Sequence, residues 1–271
     1  MLRSLYSGVS GMKGFQTKLD VIGNNIANVN TVGFKSGRVM FQDILSQTVS
    51  SVSQPEDGVR GGRNAQQIGL GATVAAIDTI QNSGSAMTTN VTTDLRIDGD
   101  GYFAVRPAGM EEGFYLTRAG NFTLDAAKQL VTADGALVLS SDGEPISLAD
   151  ANSFSISSDG SVIPVNTDGT TGDAIAQIGI VKVPNPGGLE KVGGNMFRST
   201  VNSNVDELAI GTAEDPDTGT GSVVSGQLEM SNVDLTGEFT EMIVAQRGFQ
   251  ANSRIITTSD SILEEVVNLK R

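Results

Sequence analysis

Residues Asn24–Lys35 read NNIANVNTVGFK, and they end a segment whose apolar residues are spaced as in a helix. Asparagine is a mediocre helix former because its amide competes for backbone hydrogen bonds, yet four asparagines stand here within seven residues. The stretch therefore predicts a helix end, with Asn28 or Asn30 closing the last turn and Gly33 in a left-handed conformation. A second interpretation stays open, namely that the amides hydrogen-bond neighbouring subunits.

The segment before this stretch follows a seven-residue repeat. One row consists of Leu5, Met12, Leu19 and Ile26, and a companion row consists of Gly8, Phe15, Ile22 and Val29. The same step recurs near the other end of the chain, in Leu235, Met242, Phe249, Ile256 and Leu263, with Phe239, Ala245, Val266 and Val267 beside them. Both patterns predict long amphipathic helices with a coiled-coil-like seam.

Packing of the two helices within one molecule is the simplest use of these seams, but the magnitudes argue that it is insufficient. Burying the eight seam positions of the first helix contributes on the order of 10 to 20 kcal/mol. Ordering its backbone costs a comparable or larger amount, and four glycines raise that cost. We therefore expect both ends to be disordered or fraying in the monomer and to become ordered only when several neighbours bury more than one face of each helix.

Between the helices the pattern changes to short runs of period two. The predicted strands are Leu95–Ile97, Tyr102–Arg106, Phe114–Arg118, Phe122–Leu124, Gln129–Thr132, Ala136–Leu139, Ser153–Ile156, Val162–Val165 and Gln177–Val183. Seven Asp-Gly pairs, which are hairpin signals, begin at Asp57, Asp98, Asp100, Asp134, Asp142, Asp159 and Asp168.

These patterns together predict an α+β fold, in which long N- and C-terminal helices form an inner coiled-coil-like domain around an inserted, mostly antiparallel β domain. The expected divisions are a helix at 1–35, an extended connector at 36–90, the β domain at 91–200, a second connector at 201–233 and a helix at 234–271. Within the connectors, Ser46–Gln66 and Asn202–Ser225 are rich in small and polar residues, which is typical of loops.

The composition excludes several classes of function. Cysteine, histidine and tryptophan are absent, which removes disulfides, imidazole ligands and Ser/His/Asp or Cys/His catalysis. The acidic runs Asp98–Phe103 and Thr167–Asp173 are interpreted as turns, because the former lacks the glutamate of an EF-hand. The pairs Glu111–Glu112 and Glu264–Glu265 are interpreted as solvated faces rather than glycosidase carboxylates. We therefore expect no enzyme activity, no metal site and no cofactor.

The net charge of −13 is unevenly distributed, with +3 over residues 1–45, −14 over 46–233 and −2 over 234–271. An acidic middle argues against a nucleic-acid partner. The N-terminus has no apolar run of the length that a cleaved secretory signal needs, and no stretch approaches the length of a membrane span. We therefore expect no membrane insertion, and export, if it occurs, without a cleaved leader.

The stretches LDVIGNNIANVNTVGFKSGR, at Leu19–Arg38, and SNVDLTGEFTEMIVAQRGFQANSR, at Ser231–Arg254, carry the most specific motifs. They resemble the N- and C-terminal signatures of bacterial flagellar axial proteins, the rod and hook group. The runs at Asp98–Phe103 and Thr117–Asp125 resemble the β domain of the same group, so the resemblance covers nearly the whole chain.

The resemblance implies a structural subunit that self-assembles helically into a hollow tube, with the terminal helices lining the export channel and the β domain outside. The sequence motifs of the termini favour a hook subunit, which transmits torque from rod to filament, and they most resemble the short type built by some Gram-positive bacteria. The alternative is a distal rod subunit forming a rigid drive shaft, which the length favours. The implied partners are further copies of the chain, rod, hook-cap and hook-filament junction proteins, and the flagellar export apparatus.

The seams and the resemblance together predict a set of subunit-interface residues. They are Leu5, Met12, Phe15, Leu19, Ile22, Asn24, Asn25, Ile26, Asn28, Val29, Leu235, Phe239, Met242, Gln246, Arg247, Phe249, Gln250, Asn252, Ile256 and Leu263.

Overall fold

The computed structural model describes residues 2–55, 61–110, 113–148, 153–165, 171–204, 208–216 and 218–269. The predicted Asp-Gly turns at Asp57 and Asp168 and the acidic pair Glu111–Glu112 lie outside the described residues. Within them, a helix near each end of the chain flanks a set of short antiparallel strands. The predicted α+β class is therefore confirmed.

The chain divides into two compact units. The terminal unit comprises Met1–Ala27, Gly37–Thr79 and Asp234–Arg271, and the central unit comprises Asn28–Ser36 and Ile80–Val233. The tail of the asparagine-rich stretch therefore belongs to the central unit, although the helix that precedes it belongs to the terminal unit.

The described residues of the terminal unit form two helices and two antiparallel ribbons. Helix α1 is Leu2–Ala27 and helix α2 is Leu235–Asn268; strand β1, Gly37–Asp43, pairs with β4, Ala72–Thr79, and β2, Ser46–Ser50, pairs with β3, Gln66–Gly69. These ribbons fall within residues 36–90, for which an extended connector was expected. Strands β2 and β3 are exposed along nearly their whole length, so the apolar alternation that marks a half-buried strand is missing from their sequence.

Helix ends in this unit follow simple capping chemistry. The Asp234 side chain caps α2 by accepting a hydrogen bond from the Thr236 backbone N–H at 3.0 Å, as an N-cap aspartate is expected to do. Helix α1 ends at Ala27, directly before Asn28, and Gly33 has a φ of +69°. The helix-end interpretation of the asparagine stretch is therefore confirmed.

In the described part of the central unit there are fifteen short strands and a 3₁₀ turn at Pro186–Gly188. The strands are β5 Ala86–Thr88, β6 Leu95–Asp98, β7 Tyr102–Arg106, β8 Tyr115–Thr117, β9 Thr123–Leu124, β10 Leu130–Val131, β11 Leu137–Val138, β12 Ser153–Ile156, β13 Ser161–Val165, β14 Ala176–Gln177, β15 Ile180–Val181, β16 Glu190–Gly193, β17 Met196–Arg198, β18 Ser222–Ser225 and β19 Gln227–Glu229. The main sheet has the order β16-β17-β8-β7-β11-β10-β9, and β15 also pairs with β7. A second sheet has the order β12-β13-β14, and β18 pairs with β6 and β19 with β5.

All nine strands predicted from the sequence have a counterpart, but the predicted strand Gln177–Val183 is divided into β14 and β15. The division falls where the backbone changes partner at successive residues. Ile178 donates to the Gly160 carbonyl, Gly179 to Leu139 and Ile180 to Gly211. A Cβ at Gly179 would lie 2.7 Å from the Ser140 carbonyl oxygen, so this position requires glycine. All five Asp-Gly pairs that the structure describes place their glycine at positive φ, as the hairpin signal predicted.

The buried apolar side chains of the described residues are concentrated in the central unit. One cluster includes Leu95, Phe103 and Phe122, and a second includes Leu116 and Phe197. In the terminal unit the buried apolar side chains are Ile22 and Ala245. Among the described residues, neither helix combines the length and apolar character needed to cross a bilayer.

Candidate functional site

Helices α1 and α2 pack antiparallel, because contacts that move toward the start of α1 move toward the end of α2. The Asn25 amide bonds Glu238, a Cβ at Gly248 would lie 2.6 Å from the Phe15 ring, and a Cβ at Gly8 would lie 3.4 Å from the Ile256 side chain. The glycines thus let large side chains approach the partner helix within a single chain. Gly8 lies opposite Ile256, so α1 has six residues before this contact and α2 has twelve after it. The last turns of α2 therefore extend beyond the start of α1.

Asn25 holds three segments of the terminal unit together. Its Oδ1 accepts from the Gly37 backbone N–H at 2.9 Å, and its Nδ2 donates to the Gly37 carbonyl at 2.8 Å and to Glu238 Oε1 at 2.9 Å. The residue is 1% exposed, so its amide is committed within the chain. In the single chain the Asn25 amide therefore bonds segments of the same molecule, whereas the second interpretation had placed its partners in a neighbouring subunit.

The predicted interface residues fall into three groups in the single chain. Ile22 and Asn25 are buried. The half-buried ones are Leu5, Met12, Phe15, Leu19, Ile26, Asn28, Val29, Met242, Asn252, Ile256 and Leu263. The exposed ones are Asn24, Leu235, Phe239, Gln246, Arg247, Phe249 and Gln250.

A second apolar face on α2, which we call the α2 stripe, is exposed. It consists of Val244, Ala251, Ile255, Ile262, Val266 and Leu269. Their spacings of seven, four and three residues place them on one side of a helix, and Val244, Ile255, Ile262 and Val266 are each 43–58% exposed. The seven-residue seam predicted from the sequence had included Val266 only as a flanking position, and it had missed most of this face.

Two glycine-to-alanine changes in the helices should have opposite effects. At Gly248 the added Cβ meets the Phe15 ring, so we expect G248A to lower the unfolding free energy of the terminal unit by about 1–3 kcal/mol. At Gly23 no atom lies within 4 Å of such a Cβ, so G23A should raise it by about 0.5–1 kcal/mol through helix propensity. Thermal unfolding followed by far-ultraviolet circular dichroism measures both. Equal effects would mean that the Phe15 ring moves aside at no cost.

Burial raises the pKa of Glu238, although the hydrogen bond from Asn25 opposes the shift; Glu241 and Asp234 raise the pKa further and Lys18 lowers it. A carboxyl whose pKa is higher in the folded state contributes stability below its unfolded pKa and loses it as pH rises through the folded pKa. Glutamine at this position can still accept from Asn25 but cannot ionise. We therefore expect E238Q to unfold at higher denaturant than the wild type at neutral pH, and the difference to vanish in acid. A constant difference across pH would contradict this account.

The central unit contains a buried cluster of three charged side chains, which we call the charge cluster: Lys35, Arg118 and Glu229. Lys35 Nζ lies 2.7 Å from Glu229 Oε1, and Arg118 Nη1 lies 3.3 Å from Glu229 Oε2. The three side chains are 1–4% exposed. Burial lowers the pKa of Lys35, and the charge and hydrogen bond of Glu229 act against that shift.

Backbone groups complete the coordination of the charge cluster. Lys35 Nζ also donates to the Asn82 carbonyl at 2.8 Å, the Gly84 backbone N–H donates to Glu229 Oε1 at 2.9 Å, and Arg118 Nη2 donates to the Gly99 carbonyl at 2.9 Å. The arginine also lies 5.1 Å from the centroid of the Tyr102 ring. Buried charges are tolerated when they are paired and hydrogen-bonded in this way.

The charge cluster ties together two segments that are distant in sequence. The Gly33 backbone N–H donates to the Glu229 carbonyl at 2.8 Å, and Asn232 Oδ1 accepts from the Ser36 N–H at 2.8 Å. Gly33 must be glycine here, since a Cβ would lie 2.5 Å from the Ala119 nitrogen. Sequence reasoning missed the cluster. Its only local signal was that Lys35 and Asn232 stand inside the two quoted terminal stretches and Glu229 just before the second.

Comparison with known proteins gives consistent matches. The family described as flagella basal body rod protein matches residues 5–35, the flagellar hook protein FlgE/F/G D1 domain matches 96–164, and the flagellar basal body rod FlgEFG protein C-terminal family matches 224–269. The tail of the asparagine stretch, the strands around Arg118 and the segment that carries Glu229 each lie inside one of these matches.

Full-length relatives are also found. The chain is 57% identical to the flagellar basal-body rod protein FlgG of Bacillus subtilis (strain 168) over 272 residues, and 38% identical to that of Borreliella burgdorferi over 276 residues, with all of each chain covered. It is 50% identical to the flagellar hook protein FlgE of Treponema pallidum over 131 residues, which cover 48% of this chain and 27% of that protein. These are structural proteins rather than enzymes, as the composition predicted. The chain belongs to the flagellar rod and hook protein family.

Proposed function

We propose that the chain is a subunit of the distal flagellar rod. The terminal motifs had favoured a hook subunit, with the distal rod as the alternative. Two rod proteins named FlgG match the chain from end to end at 57% and 38% identity over 272 and 276 residues. The flagellar hook protein FlgE of Borreliella burgdorferi also covers the whole chain, but at 28% identity over 451 residues, and the Treponema hook protein matches about half of the chain and about a quarter of its own length. A subunit of the length of the rod proteins supports a rod role. The preference for a hook subunit rested on the sequence motifs of the terminal stretches, which rod and hook proteins share.

We propose further that the subunit assembles helically with copies of itself, and the observation that carries this is the exposed α2 stripe. Its apolar side chains run along the helix beside the face that packs on α1, and they continue where α2 extends beyond α1. A surface of this kind on a long helix is typical of a packing face for another helix. Phe239 and Phe249, two of the predicted interface residues, are also exposed apolar side chains of α2.

Ordering on assembly also stays a prediction. The terminal unit buries few apolar side chains, and the central unit holds both apolar clusters. We expect the helices of the dilute chain to unfold well before the central unit on heating, and assembly to remove this early transition. Circular dichroism at two concentrations tests it. A single sharp transition in the dilute monomer would contradict it.

As a rod component, the subunit would contact further copies of itself and the neighbouring rod and hook proteins. The hook-cap proteins, the hook-filament junction proteins and the export apparatus remain predicted partners.

A hook subunit is the second candidate, because the identity to the Treponema hook protein reaches 50% in the part that matches. Electron microscopy of cells lacking the gene distinguishes the two. Loss of the rod together with the hook supports the distal rod, whereas loss of the external hook from an intact rod supports the hook.

A further inference from the structure

A cavity of about 160 Å³ opens in the central unit beside the charge cluster. Its wall includes Tyr102, Arg118 and Lys182, together with Gln81 and Asp100. None of these side chains takes part in the packing of α1 against α2, so the helix packing described above does not account for the cavity.

The wall of this cavity has more positive than negative charge. Arg118 is 4% exposed, its Nη1 faces Glu229 and its Nη2 donates to the Gly99 carbonyl, but its Nε has no hydrogen-bond partner among the described residues. Glu229 is shared with Lys35, so the charge cluster has two cations for one anion. The positive charge of Arg118 is therefore only partly balanced by Glu229, and an anion in the cavity that Arg118 lines would stabilise it.

The remainder of the wall combines the apolar residues Val183, Pro184 and Pro186 with hydrogen-bonding side chains. Lys182 Nζ is exposed and donates to the neutral Thr218 carbonyl at 2.9 Å. The Tyr102 hydroxyl donates to Gln81 Oε1 at 3.0 Å. Burial raises the pKa of Tyr102 to about 12, so the hydroxyl is neutral at physiological pH. Asp100 is the carboxylate in the wall, and it offsets one of the two lining cations.

We propose that this cavity binds a carboxylate, and that in the assembled protein this carboxylate belongs to an Asp or Glu side chain of a neighbouring copy of the chain. Guanidinium and ammonium groups bind carboxylates through short charge-assisted hydrogen bonds. A second copy offers many such groups, because residues 46–233 hold 23 Asp and Glu against nine Lys and Arg. The identity of the occupant rests on the proposed self-assembly, whereas the carboxylate preference of the cavity does not.

Titration of the dispersed full-length chain with acetate tests the carboxylate preference, with the Arg118 Nε–H resonance as the readout and chloride at equal ionic strength as the reference. We expect a saturable shift with acetate and none with chloride. Lys182→Gln removes one lining charge without touching the charge cluster, and it should weaken acetate binding about two- to fivefold. Lys128→Gln, the same change at an exposed lysine outside the wall, should leave binding unchanged. Equal responses to acetate and chloride, or equal binding by the wild type and Lys182→Gln, would overturn the proposal.

Carbodiimide coupling of assembled protein identifies the occupant, because it joins an amine to a carboxylate in direct contact. A mixture of isotope-labelled and unlabelled chains distinguishes products between copies from products within one. We expect Lys182 to be joined to an Asp or Glu of the other copy. Acetate binding without any such product in assembled protein would overturn the neighbouring copy as the source. Failure of the chain to assemble would contradict the proposed function, and the acetate titration would still decide the carboxylate site.

Discussion

Replacing Glu229 with glutamine is expected to lower the unfolding free energy of the central unit by about 3–5 kcal/mol, which is the cost of leaving buried charges without their partner. The side chain is 1% exposed and is the shared counter-charge of Lys35 and Arg118. Glutamine keeps the shape and can still accept from the Gly84 N–H, so the change isolates the loss of charge. Both cations would remain buried, and their mutual repulsion would no longer be offset.

Glu190→Gln is the matched control for this change. Glu190 also pairs with an arginine, Arg198, at 2.6 Å, but the two side chains are 54–55% exposed. An exposed pair contributes at most about 1 kcal/mol. Denaturant unfolding followed by near-ultraviolet circular dichroism suits the comparison, because two of the three tyrosines, Tyr102 and Tyr115, lie in the central unit.

A double substitution separates the charge effect from a simple packing defect. Lys35→Met removes one of the two cations that Glu229→Gln leaves unpaired, so the double variant should be more stable than the sum of the single effects predicts. Additive losses, or equal losses from Glu229→Gln and Glu190→Gln, would show that the charge cluster is not what stabilises this part of the fold.

The helices could be predicted from the sequence because their signal is local and repetitive. A seven-residue step from Leu5 onward and from Leu235 onward requires only neighbouring residues, and the Asp-Gly turns are equally local. The ribbons of the terminal unit and strands β16 to β19 were missed for the opposite reason. Most of their residues are exposed or only half-buried, so no apolar alternation marks them.

The site was harder to predict because its partners are distant in sequence. The Asn25 amide reaches Glu238 across 213 positions, and Lys35 reaches Glu229 across 194. The capacity of the asparagine amide to donate and accept was recognised, but its partners were expected in neighbouring subunits, whereas in the single chain Asn25 bonds Gly37 and Glu238. One sequence does not reveal which distant carboxylate faces the amide. For the same reason, the sequence around Lys35 did not indicate that this lysine is buried beside Glu229.

Val266→Glu is expected to prevent assembly while leaving the single chain folded. Val266 is 51% exposed on the α2 stripe, so a charge there stays hydrated in the monomer and should leave the helix content unchanged. In an assembled bundle the same position would be covered, and losing a buried valine costs about 1.5–3 kcal/mol before any cost of burying the carboxylate is added. The concentration needed for assembly should therefore rise at least about tenfold.

Val201→Glu is the control, because it makes the same change at a valine of the central unit that is 92% exposed. Sedimentation and electron microscopy of concentrated protein measure assembly, and far-ultraviolet circular dichroism of dilute protein verifies the fold. We expect Val201→Glu to assemble like the wild type and Val266→Glu to remain in the supernatant with an unchanged spectrum. Assembly of Val266→Glu at the wild-type concentration would show that the α2 stripe faces solvent or the bore of the tube rather than another subunit, and the helix packing that the proposed rod requires would then have to use a different face of α2.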